Sequence, residues 1–127
     1  MSHMTFLTDV WIITCIISTA TKQADKMLLA AREFGANSAL GYHARGYGAR
    51  ERLGKLGIAV ETEKDVLCVL VSTEQRDSVF EAMFRAGGLD RPNAGFMYMT
   101  QLEKCAAYVP ESVMQELKEA GKVRSAL

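Results

Sequence analysis

Between residues 10 and 100 the chain alternates two kinds of apolar pattern. Val10 to Ser18 is a nearly unbroken run of β-branched and aromatic residues, which predicts a buried strand. From about Lys22 to Phe34 the pattern changes. Ala24, Met27, Leu28 and Ala31 recur at i, i+3, i+4 and i+7, the stripe of an amphipathic helix. Gly35 follows, suited to a left-handed cap. Ser38 to Gly46 predicts a second strand and Val66 to Val71 a third. Ser72 and Gln75 stand three apart, as in a capping box. The helix they open runs to about Ala86. Val79, Ala82, Met83 and Ala86 form its inner stripe, widened by Phe80 and Phe84, and Gly87-Gly88 ends it. Phe96 to Thr100 predicts a fourth strand. Pro110 can open a last helix, with Val113, Met114 and Leu117 inward and Gly121 at its close.

The predicted order is βαββαβ with a C-terminal helix. The chain nearly repeats itself: Asp9-Val10 and Asp65-Val66 each begin a strand carrying a cysteine, and Ser18-Thr19 and Ser72-Thr73 end them before a helix. Two such halves predict an α+β, ferredoxin-like sandwich, with an antiparallel sheet and both helices on one face. Residues 1–8 are expected to lack fixed structure, 9–109 to form the domain, and 110–127 a helix and tail. Met1-Ser2-His3-Met4 reads as a cloning remnant. In the first strand Trp11, Ile13, Cys15 and Ile17 oppose Val10, Ile12, Thr14 and Ile16, so both faces are apolar. A sheet of this kind exposes a large patch unless a second copy covers it, which predicts self-association.

At 127 residues and 49% hydrophobic, the chain suits one domain with a filled core. Lys+Arg and Asp+Glu are both 15, so no net charge draws it to nucleic acid or an anionic membrane. The run Val10 to Ile17 is far short of a membrane span. Cys15, Cys68 and Cys105 are odd in number and far apart, against a disulfide framework. They predict reduced thiols and a cytoplasmic protein.

The chemistry concentrates at Arg45-Gly46-Tyr47-Gly48-Ala49-Arg50-Glu51-Arg52. Glycine lets a backbone approach a ligand closely, and arginine offers a planar fork to phosphate or carboxylate. The bland alternatives are a chain bend and a solvated charged face. His43 could be a core or a surface histidine. As a metal ligand it lacks partners, because no Cys or His lies at ligand spacing. No nucleophile–base pair is visible, and catalysis is not expected.

Taken together, the element order, Arg45-Gly46-Tyr47-Gly48 at the head of a long loop, Lys64 before the third strand, Gln75, Asp77 and Glu81 on the second helix, and the turn Asn93-Ala94-Gly95 resemble the PII signal-transduction family. The resemblance runs from Val10 to about Val109. It implies a homotrimer with ATP, ADP or AMP held in clefts between subunits. The ligand contacts would come from Arg45, Gly46, Tyr47, Gly48, Arg50, Lys64, Arg91 and Gly95. It also implies a loop, here residues 49–63, that engages a partner such as a membrane transporter or a metabolic enzyme. Arg52, Leu53, Leu56 and Ile58 would supply that contact. The pathway implied is nitrogen or carbon metabolism.

The chain departs from the family pattern in four ways. The loop is shorter, and its modified tyrosine has no counterpart, so uridylylation is not expected. A family lysine falls on Phe96, and two family arginines fall on Ala107 and Val109. A hydrogen bond to a charged group contributes about 1.5–3 kcal/mol. Losing three such contacts would weaken nucleotide binding by several powers of ten, unless Arg50, Arg52 and Arg91 supply the charge. Two other readings stand beside the regulator: a structural or metal-tolerance-type trimer of the same fold, and a small phosphate-handling enzyme.

Overall fold

The apolar runs become the strands of a single antiparallel sheet. The computed structural model describes residues 4–47, 52–53, 58–59 and 62–125. Strand β1 is Thr5–Leu7 and β2 is Trp11–Ser18; α1 is Ala24–Glu33 and β3 Ser38–Gly46. A short hairpin pairs β4, Arg52–Leu53, with β5, Ile58–Ala59. Then come β6 (Thr62–Val71), α2 (Thr73–Gly87), β7 (Gly95–Gln101), β8 (Cys105–Ala106), α3 (Glu111–Glu119) and β9 (Val123–Ser125). The main sheet has the order β3-β6-β2-β7. The two α-helices that follow β2 and β6 pack on each other and on one face of it. This is the ferredoxin-like α+β architecture that the element order predicts.

Register decides which residues share a face, because residues directly opposite lie on the same side of a pleated sheet. Ile13, Cys15 and Ile17 oppose Val69, Leu67 and Asp65. These positions, Asp65 aside, join Met27 and Ala31 of α1 and Val79 and Met83 of α2 in the core. The stripes at Met27–Ala31 and Val79–Met83 therefore face inward, whereas Phe84, expected to widen the second, is 38% exposed beside Glu81, Arg85 and Asp90. Ser72 accepts at α2's start while its own backbone N–H donates to Gln75 Oε1 at 3.2 Å, so the capping box is present.

Cys15 is fully buried, with its thiol 3.9 Å from Met27 Sδ. Burial pushes that thiol up to about 12. The thiolate is the reactive form, so Cys15 is expected to resist iodoacetamide in the native protein. Cys68 and Cys105 are only half-buried. Mass spectrometry should find label on those two and on Cys15 only after denaturation; rapid native labelling of Cys15 would contradict the packing.

The opposite face carries Ile12, Thr14 and Ile16 of β2 and, across from them, Leu70, Cys68 and Val66 of β6. Its margins are aromatic and aliphatic: Leu40 and Tyr42 on one edge strand, Phe96 and Tyr98 on the other, each about half exposed. No helix among the described residues covers this face.

Both ends of the chain differ from expectation. Residues 1–8, expected without structure, contain β1, which is the centre strand of a second sheet, β8-β1-β9. The tail beyond the last helix likewise contains β9, in register with β1 from Val123 opposite Leu7 to Ser125 opposite Thr5. Neither segment has a long apolar run. Each is too short to be legible alone; β9 pairs with β1, and β1 pairs with both β9 and β8. Pro110 stands just before α3 rather than inside it, and no residue of α3 is buried, so its Val113–Met114–Leu117 stripe is only partly covered.

Candidate functional site

Strand β6 starts at Thr62, four residues before the expected Val66, because the polar segment Thr62–Asp65 continues the ladder with β3. Gly46 lies opposite Thr62, Arg45 opposite Glu63 and Ala44 opposite Lys64. Lys64 is thus a strand residue and Glu63 is paired, so the loop expected over 49–63 narrows to 47–61. On its other side Lys64 faces Ser18. Ile17 faces Gly95, the first residue of β7. The ladder therefore brings Arg45, Gly46, Lys64 and Gly95, distant in sequence, to one end of the sheet.

The roles of these residues differ in kind. Gly46 has open space around it: a Cβ there would meet nothing within 4 Å among the described residues, so its backbone is free for close approach. Gly95 has φ +138°, and a Cβ would overlap the Ile16 carbonyl oxygen and stand 2.8 Å from Ile17 Cα. This glycine is needed for strand-to-strand approach. Arg91 turns back to α2, with Nε donating to the Gly88 carbonyl at 3.0 Å and Nη2 to Gly87 at 3.3 Å. It satisfies carbonyls left open at the helix end. With Thr21, Asn93 and Ala94 it also lines a cleft of about 210 Å³. Arg45 and Tyr47 are exposed, and Lys64 is half-buried and engaged. Arg52, Leu53 and Ile58 lie in the β4–β5 hairpin; Gly48, Arg50 and Leu56 fall outside the described residues.

Phe96, at the family's lysine position, stacks on Tyr98 with ring centroids 6.3 Å apart, on the open face. Ala107 lines a separate cavity of about 500 Å³ at the far end of the sheet, between α2 and the terminal sheet. Lys122 closes that cavity, bonding Glu74 at 2.9 Å and lying 3.5 Å from Asp9. Its hydrogen bond holds the Glu74 carboxyl below its usual range, and the same bond raises the Lys122 ammonium. This cavity is not legible in the sequence, because its walls come from segments far apart in the chain, from Leu7 to Lys122.

Sequence reasoning also missed Asp65. It is only 8% exposed. Its Oδ1 accepts from His43 Nδ1 at 2.8 Å and from Thr19 Oγ1 at 3.3 Å. An aspartate directly before an apolar strand run was the available signal. No group of three metal-binding side chains occurs among the described residues.

The four-stranded antiparallel sheet with both helices on one face and the other face open defines a ferredoxin-like fold. More particularly, the fold is that of the PII proteins. The chain superposes on Arabidopsis thaliana PII bound to citrate with a TM-score of 0.59 at 12% identity, over 76% of this chain and 79% of that one. It superposes on a B. subtilis GlnK–ATP complex with a TM-score of 0.60 at 18% identity, covering 76% and 84% of the two chains. A further structure of B. subtilis GlnK gives 0.57 at 17%, covering 80% and 86%. No protein-family profile and no curated protein matches the sequence.

Proposed function

We propose that this protein is a PII-like regulator that binds a small anionic effector, an adenine nucleotide first, at the loop-stem end of its sheet. The observation that supports it is the gathering of Arg45, Gly46 and Lys64 on paired strands at the mouth of a loop. Open backbone near an exposed arginine and a lysine suits phosphate or carboxylate. One of the structures sharing the fold holds ATP and another citrate. Three copies would associate through the open face, and the cleft between them would complete the site. Occupancy would shift the loop 47–61 between states, provided the effector binds one state better than the other. That loop would then engage a cytoplasmic enzyme or the inner surface of a transporter in nitrogen or carbon metabolism.

The reading involves no bond-making step. Thr19 donates to Asp65 rather than to the imidazole, so His43 does not activate that hydroxyl.

Isothermal calorimetry with ATP, ADP, AMP, cyclic nucleotides and citrate tests the reading. Binding is expected for at least one, weakened roughly tenfold or more by Lys64→Ala, since a hydrogen bond to a charged group contributes about 1.5–3 kcal/mol. Silence for all of them at millimolar concentration would reject it. A structural trimer is the second reading, favoured by Phe96 joining the open face and Arg91 capping a helix. It expects an intact oligomer that binds none of these ligands.

A further inference from the structure

The His43–Asp65 pair has a consequence for how a ligand could be held. A carboxylate only accepts hydrogen bonds. With Asp65 Oδ1 2.8 Å from Nδ1, that nitrogen must carry the proton. The neutral imidazole is then fixed in one tautomer, with a bare lone pair on Nε2. Asp65 is itself held by Thr19 from the turn after β2 and is almost fully out of water. The imidazole it orients is 80% exposed. A buried carboxylate behind an exposed imidazole is an arrangement that fixes histidine orientation and tautomer.

His43 and Arg45 are two apart on β3 and share a face, with their backbones roughly 6.5–7 Å apart. On that face phosphate oxygens would be drawn to Arg45; Lys64, opposite Ala44, belongs to the other face of the sheet. Beside His43 the Asp65 charge and the Nε2 lone pair both repel them. A lone pair attracts a donor, and a nucleotide carries donors on its ribose hydroxyls and its adenine amine, one sugar's length from the phosphate.

Resting on the nucleotide reading above, we propose that Asp65 is a positioning residue that presents His43 Nε2 to a hydroxyl or amino donor of a bound nucleoside. The test uses the full chain labelled with 15N-histidine in mildly alkaline buffer, with His3, the other histidine, as internal reference. The free protein should show His43 as the Nδ1–H tautomer; an Nε2–H tautomer overturns the proposal. AMP should shift the Nε2 resonance and inorganic pyrophosphate should not.

His43→Gln, at an exposed position, should weaken AMP about 3- to 10-fold, the effect of one hydrogen bond, and leave pyrophosphate unchanged. Asp65→Asn keeps an acceptor toward Nδ1–H and should retain most AMP affinity. Asp65→Ala should release the tautomer and match His43→Gln. Equal AMP binding by wild type and His43→Gln sinks the proposal and leaves the nucleotide reading standing. Absence of AMP, ADP and ATP binding to wild type rejects both.

Discussion

Gly95→Ala is expected to destabilise the protein by about 3–5 kcal/mol, lowering the melting temperature on the order of 10–20 °C. Two effects add. The residue sits at φ +138°, a region that side-chain-bearing residues rarely enter. The new methyl would also press on the Ile16 carbonyl and the Ile17 Cα, which are backbone atoms and cannot rotate away. Relief requires β7 to move off β2, breaking the ladder from its first pair, Ile17 with Gly95. Gly46→Ala is the control, because its Cβ meets nothing within 4 Å among the described residues; stability should stay within about 0.5 kcal/mol. Gly87→Ala falls between them, since its Cβ would meet the end of the flexible Met27 side chain. Urea denaturation of the three variants checks the order. A Gly95→Ala protein as stable as wild type would mean that β7 does not approach β2 as closely as described.

Placing charge on the open face is expected to dissociate the proposed trimer while leaving the fold intact. Tyr42 and Phe96 lie on opposite edge strands and are 52% and 56% exposed in the single chain. Removing each from water in a trimer would stabilise it by roughly 1.5–3 kcal/mol per side chain, repeated in every copy. Tyr42→Glu with Phe96→Glu replaces that gain with unpaired carboxylates, which are costly to bury. Sedimentation of the wild type at micromolar concentration should give three times 14.0 kDa, and the double variant 14.0 kDa with unchanged circular dichroism. Neither side chain packs against the helices, so loss of fold is not expected. A monomeric wild type would remove the self-association from the proposed function.

The sequence by itself determined the elements that bury themselves through local periodicity. The run from Trp11, the stripe Met27–Ala31 on α1, the stripe Val79–Met83 and the Ser72–Gln75 box each carry their signal within one segment, and all stand where the pattern puts them. The same period-two reasoning foresaw a sheet with two apolar faces. Terminal pairing was illegible: Thr5–Leu7, Cys105–Ala106 and Val123–Ser125 are strands only because they meet, and three residues carry no periodicity.

The extension of β6 to Thr62 was hidden for a related reason. Polar residues lengthen a strand when a partner strand accepts their backbone hydrogen bonds, as β3 does here. At the candidate site, Gly46 and Lys64 could be picked out by type, but their proximity needed the register. Gly95 and Arg91 carry structural duties that composition cannot reveal, because a close backbone contact and a helix cap exist only in three dimensions. His43 shows the division most clearly. The sequence offered a lone histidine on a strand. Only tertiary structure set a nearly buried aspartate 2.8 Å from one of its nitrogens, leaving the other open to solvent.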